Sequence, residues 1–331
     1  MGRTALALAT TTLLLAALPG CGDDAGGTPA SDAGVDSGQL EAGGAGGAGP
    51  DAAPDAPAPR LERFATVPGP LDGIVAWGSG ADARLLVSRS VAGELAAVDS
   101  GGATGNALFL AAPRGLALRA QGDVLVCARH TTGTGIVGLF APGTPTVAPL
   151  VNGGTSPYGT TASVAVGPDD SIVFTDLDVD TVYRVDPQGQ SPVLVSSDIS
   201  RPAGLAFAAD GRTLYVASGD TGKLYAIPRS PAVGSFGPPA QIATGYPGVG
   251  SVHVMKNGDL VLVTRGSGVV RLPPSGGAAE VIASSSELVS PAAGAFGNDA
   301  FGTTWLYVAE SDAGRISRIR FDDEPIALPV R

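Results

Sequence analysis

The chain has 331 residues, of which 49 are Gly and 27 are Pro; 15% are charged, and the formal net charge is −11. Gly at roughly twice its usual share argues against a helical bundle, which needs Ala, Glu, Lys and Leu with few breakers. Only two lysines occur, Lys223 and Lys256, beside 18 arginines. That balance disfavours nucleic acid as the main partner, because neutralising phosphates requires a basic patch.

Residues 1–20 read as a secretion signal. Arg3 supplies the positive start, and Ala5 to Leu18 is an apolar run broken only by Thr10, Thr11 and Thr12. Its length suits a signal and is short for a membrane span. The run ends in Leu18-Pro19-Gly20-Cys21, which resembles a bacterial lipobox. The resemblance implies lipidation of Cys21, cleavage before it and anchoring in the cell envelope; ordinary cleavage near Gly20 is the alternative. Gly22 stands where an Asp would favour the inner membrane, so the implied address is the outer membrane. Several acyl chains anchor stably where one would not.

Residues 21–60 are almost entirely Gly, Ala, Pro, Asp and Ser and carry no aromatic residue. They cannot bury a core and are expected to act as a flexible tether. With Cys21 lipidated, Cys127 is left alone and no intramolecular disulfide can form. It sits in the apolar run Asp123-Val124-Leu125-Val126-Cys127-Ala128, as a small buried hydrophobe would.

Residues 61–331 carry an internal repeat. Prolines at 70, 113, 157, 202, 247 and 291 are spaced by 43 to 45 residues. Each begins a block of Gly, a short apolar strand, a turn and a second apolar strand. In the clearest copy, Gly204–Phe207, Thr213–Ala217, Lys223–Ile227 and Gln241–Thr244 are the expected strands. Asp210-Gly211, Asn257-Gly258 and Asp169-Asp170 occupy equivalent turns, where Gly, Asn and Asp tolerate positive φ. Four strands per 40–50 residues predict an all-β, six-bladed β-propeller. Leu61–Val67 precedes the first copy and is expected to complete blade six, which removes an exposed edge. The rival closing segment, Pro325–Pro329, has a proline at each end.

The blocks Pro202–Ala217 and Ser163–Asp176 resemble the gluconolactonase and senescence-marker-protein superfamily, and also NHL-repeat propellers. The resemblance implies a metal on the propeller axis, held by a Glu, an Asn and an Asp or Asn, each just before the Gly that opens an inner strand. Here those places hold Asp72, Arg114, Tyr158, Ala203, Val249 and Ala293. Asp72 alone can ligate a hard cation, whereas Ca²⁺ takes six to eight oxygens. No metal or other cofactor is therefore expected, with Ca²⁺ reserved for an enzyme reading.

Other chemistry is sparse. His130 and His253 belong to no metal-spaced cluster, and His253 alternates with apolar neighbours as a sheet-face residue would. No Gly-x-Ser-x-Gly elbow occurs. Trp77 and Trp305 lie in apolar strands and are expected to pack between sheets. The second strands are expected to end at Arg89, Arg129, Asp176, Ser218, Arg265 and Glu310. The candidate rim of the channel is thus Asp72, Arg114, Arg129, His130, Asp176, Arg265 and Glu310. The expected function is a lipid-anchored binding or scaffold module, contacting the membrane through its lipid and a protein or small polar ligand at the propeller face. The alternative is a divergent lactonase or esterase.

Overall fold

The computed structural model describes residues 60–326 except 142, 143, 145, 152–157, 231 and 233. The signal, Cys21, the tether before Arg60, Pro157 and the last five residues lie outside the described residues.

An opening strand, β1 (Leu61–Thr66), precedes six runs of four. Blade one comprises β2 (Gly73–Trp77), β3 (Arg84–Arg89), β4 (Glu94–Val98) and β5 (Thr104–Phe109). Blade two is β6 (Leu116–Leu118), β7 (Val124–Arg129), β8 (Gly135–Phe140) and β9 (Val147–Val151). Blade three is β10 (Thr161–Val166), β11 (Ile172–Asp176), β12 (Thr181–Val185) and β13 (Val193–Ser196). Blade four is β14 (Pro202–Phe207), β15 (Thr213–Ser218), β16 (Leu224–Pro228) and β17 (Ala240–Ala243). Blade five is β18 (Val249–Val254), β19 (Leu260–Thr264), β20 (Gly268–Leu272) and β21 (Glu280–Ala283). Blade six has β22 (Pro291–Phe296), β23 (Trp305–Glu310) and β24 (Arg315–Arg320) from its own repeat. Its fourth strand is β1, in the order β1-β24-β23-β22. The protein is an all-β, six-bladed β-propeller.

Closure follows the expectation. Leu61 pairs with Ile319 and Thr66 with Arg315, antiparallel. Val67 N–H, just beyond β1, donates to Gly314 O at 2.9 Å. The rival segment goes elsewhere: Pro325 bridges Met255, and Ile326 N–H donates to Val254 O in blade five.

Six buried apolar clusters form the core, one between each pair of neighbouring blades. A blade must bury both faces, so its strands read as near-continuous apolar runs such as Leu260–Thr264, in which every residue is buried. Cys127 lies in the cluster between blades two and three, and burial pushes its thiol up to about 12. Trp77 packs near Phe140 between blades one and two and donates Nε1–H to Gly122 O at 2.9 Å. Trp305 packs against the cluster between blades six and one, with the Arg318 guanidinium over its ring.

The turns use the expected chemistry. Gly211 has φ +64, Gly258 φ +91 and Asp170 φ +59. Near the axis the innermost strands approach backbone to backbone. A Cβ on Gly73 would lie 2.3 Å from Arg114 O, and one on Gly250 would lie 1.7 Å from Ala292 O. The repeat therefore needs Gly where it opens an inner strand, because neighbouring blades leave no room for a side chain.

Candidate functional site

A cavity of about 210 Å³ opens on the propeller axis, lined mainly by the starts of inner strands and the turns after second strands. Its charged residues are Asp72, Arg114, Arg201 and Arg265. Ala162, Ala203, Val249 and Ala292 supply apolar wall.

Asp72 is fixed from two sides. Its N–H donates to Ser88 O at 3.0 Å, and its Oδ2 accepts from Ser90 N–H at 2.8 Å. Arg114 has a locked backbone: its N–H donates to Cys127 O at 2.8 Å, and its carbonyl accepts from Ser88 Oγ. Arg201 stands before the repeat proline of blade four with φ +44, a left-handed conformation costly for a side-chain-bearing residue. Asp180 Oδ1 accepts from its N–H at 2.7 Å, and its carbonyl accepts from Gly219 N–H at 3.0 Å. Ala112 and Ser290, before Pro113 and Pro291, share this conformation, so it belongs to the repeat. Arg265 follows β19 directly, exposed at the mouth.

Of the sequence-derived candidates, the cavity brings together Asp72, Arg114 and Arg265. Four others do not line it. Arg129 is exposed and donates to Thr160 Oγ1 at 2.9 Å. His130 is exposed and is held within its own turn by Thr132. Asp176 is fully buried and accepts from the backbone of Gly159, Thr160 and Asp178. Glu310 is fully buried and accepts from Val289 N–H, Ser317 Oγ and the Arg315 guanidinium. These two carboxylates hold loops and strand ends together.

Two axial positions are corrected. Blade three presents Ala162, while Tyr158 is buried between blades two and three. Blade six presents Ala292, while Ala293 belongs to the core between blades six and one. The reason is where the Gly falls: Gly159 precedes β10 and Gly294 is the fourth residue of β22, whereas Gly73 opens β2 and Gly204 and Gly250 lie third and second in β14 and β18. The first two strands of blades three, four, five and six slip at Thr161/Val164, Pro202/Leu205, Val249/Ser251 and Pro291/Ala293. These bulges re-aim neighbouring residues in blades four and five as well, where the expected Ala203 and Val249 do line the cavity. Arg201 escaped the sequence reading. The signal for it was its place immediately before a repeat proline.

The donor set does not fit a hard cation. One carboxylate and the Ser163 hydroxyl share the cavity with three guanidiniums, whereas Ca²⁺ needs a shell of oxygens. No group of three or more His, Cys, Asp or Glu suited to a metal occurs among the described residues. The pairing of Ser251 Oγ with His253 Nε2 at 3.1 Å lies outside the cavity lining. His253 stands edge-on to Phe296, and burial pushes its pKa down to about 4. The arrangement is equipped to hold an anionic or polar group, since Arg presents a planar fork to oxyanions.

The fold recurs in solved structures. A gluconolactonase from Xanthomonas campestris superposes with a TM-score of 0.66 at 18% identity, covering 78% of this chain and 89% of that one. The calcium-binding protein regucalcin from Agrobacterium tumefaciens gives 0.60 at 17% identity, over 78% and 92%. Virginiamycin B lyase from Staphylococcus aureus gives 0.54 at 13% identity, over 82% and 89%. At such identities the likeness is one of fold, and the fold serves more than one chemistry. No curated protein matches the sequence. The family described as the SMP-30/Gluconolactonase/LRE-like region matches residues 79–306. With more than half of its length matched and six blades closed around an axial cavity, the chain belongs to the SMP-30/gluconolactonase-like family.

Proposed function

We propose that this protein is a lipid-anchored binding module of the bacterial cell envelope, which takes a polar ligand in its axial cavity and performs no metal-dependent hydrolysis. The observation that carries the reading is the composition of the cavity: one carboxylate, Asp72, against Arg114, Arg201 and Arg265. A metal would meet three positive charges, with Ala162, Ala203, Val249 and Ala292 around them. The lipidation half of the proposal rests on Leu18-Pro19-Gly20-Cys21 and the tether after it.

The second reading, a divergent lactonase, is favoured by family membership and by Asp72 at an axial position. Metal content separates the two. The binding reading expects the purified protein to hold no stoichiometric Ca²⁺ or Zn²⁺ and to show no chelator-sensitive hydrolysis of sugar lactones or aryl esters. Bound metal, with hydrolysis abolished by Asp72→Ala, would replace it with the enzyme reading.

A further inference from the structure

We infer that the axial cavity is a site for a small polyvalent oxyanion, gripped by Arg114, Arg201 and Arg265, with Asp72 accepting a hydrogen bond from a hydroxyl or ammonium of the same ligand. This deepens the binding-module reading and rests on it.

The argument begins with charge. Three guanidiniums and one carboxylate line the cavity, an excess of two positive charges in a chain whose formal charge is −11. Several arginines away from the cavity pair with carboxylates across or within blades, while Arg84, Arg119 and Arg129 donate to carbonyl or hydroxyl oxygens. Arg89 pairs with Glu94, Arg184 and Arg229 with Asp169, Arg271 with Asp259 and Asp323, Arg315 with Glu310, and Arg318 with Glu62. Among the described residues, no side-chain hydrogen bond or ion pair engages Arg114, Arg201 or Arg265, and none of them pairs with Asp72.

A solvated rim would account for Arg201 and Arg265, which are exposed. It does not account for Arg114, which is half-buried with its backbone bonded to two neighbours and its guanidinium unmatched. Blades two, four and six place Ala112, Arg201 and Ser290 in the left-handed conformation, and of these three Arg201 lines the cavity.

The apolar wall strengthens the field. Ala162, Ala203, Val249 and Ala292 add apolar side chains to the lining, and low-dielectric walls focus attraction for an opposite charge. Size limits the ligand. A cavity of about 210 Å³ suits a small molecule or one terminal group of a larger one. Two or more negative charges would neutralise the excess, and carboxylate and phosphate both match the guanidinium fork. Asp72, already fixed by Ser90 N–H, repels an anion and so selects a ligand that also carries a donor.

The test is calorimetric titration of the purified full chain in detergent and low-salt, phosphate-free buffer. The probes are citrate, inorganic phosphate and, as the uncharged counterpart, glucitol. Citrate or phosphate should bind saturably and more tightly than glucitol. Whichever oxyanion binds better assigns the group recognised. Arg114→Gln and Arg265→Gln should each weaken that binding about tenfold, the worth of one charge-assisted hydrogen bond. Arg201→Asn should do the same, since Asn tolerates the left-handed backbone. Should Arg114→Gln fail to fold, the other two, at exposed positions, carry the test. Oxyanion binding untouched by these variants, or no oxyanion binding, overturns the inference. Glucitol bound without oxyanion would overturn it while leaving the binding module standing. Chelator-sensitive hydrolysis would overturn the binding module itself.

Discussion

Glu310 separates a structural carboxylate from a ligand-binding one. It is fully buried and accepts Arg315 Nε and Nη2, both at 2.7 Å, Val289 N–H at 2.6 Å, and Ser317 Oγ. In Glu310→Gln the charge is lost and an NH₂ faces donors already aimed at an oxygen. Removing one member of a buried, hydrogen-bonded ion pair costs about 3–5 kcal/mol. A large domain loses roughly 2 °C of Tm per kcal/mol, so the expected drop is roughly 6–10 °C. Differential scanning calorimetry of the purified variant reads it. In a double-mutant cycle with Arg315→Ala, the two single effects should fail to add by more than ~1 kcal/mol, because each removes the same contact. Oxyanion affinity should stay within twofold of the parent, since Glu310 does not line the axial cavity. An unchanged Tm with weakened ligand binding would refute the structural assignment and return Glu310 to the channel rim.

A chain beginning at Pro68 lacks β1, the ladder to β24 and the Phe64 ring that stands edge-on to Tyr307 at 5.0 Å. It should melt lower and aggregate more readily than a chain beginning at Pro59; equal melting temperatures would show that β1 is dispensable. His253 should make stability fall in mild acid. Its pKa is about 4 folded against 6.5 for the free group, so between these values the unfolded chain binds a proton that the folded chain refuses. Stability is then constant above about pH 6.5 and falls by about 3 kcal/mol toward pH 4. Urea titrations across that range should show a weaker slope in His253→Gln. Cys21→Ser should move the protein from membrane to soluble fractions; persistent membrane association, with no lipid on the unaltered chain by mass spectrometry, would rule out lipidation.

Much of the fold is legible in the amino-acid sequence. The near-constant spacing of the repeat prolines stands for a unit that cannot bury its two faces alone, and Gly73 and Gly250 stand where neighbouring backbones leave no room for a Cβ. Asp210-Gly211 and Asn257-Gly258 mark turns because positive φ is a local property of those residues. Leu61–Val67 could be given to blade six because it was a strand without a repeat of its own. All of these signals are short-range or periodic.

What converges on the axis was decided by tertiary structure. Ala162 and Ala292 line the cavity where the spacing pointed to Tyr158 and Ala293, because Gly159 precedes β10 and Gly294 lies deep in β22. Asp176 and Glu310 end their strands like rim residues, yet backbone and side-chain donors from other segments enclose them. Asp169, read as a turn residue, also accepts from Arg229 of the next blade at 2.5 Å. Arg201 lines the cavity from its place before Pro202, whereas Ala112 and Ser290, with the same left-handed backbone before their prolines, do not. A propeller gathers its site from residues some forty positions apart, one blade at a time. Composition and spacing determine that the blades form, while where each inner strand begins relative to its Gly determines which side chain meets the axis.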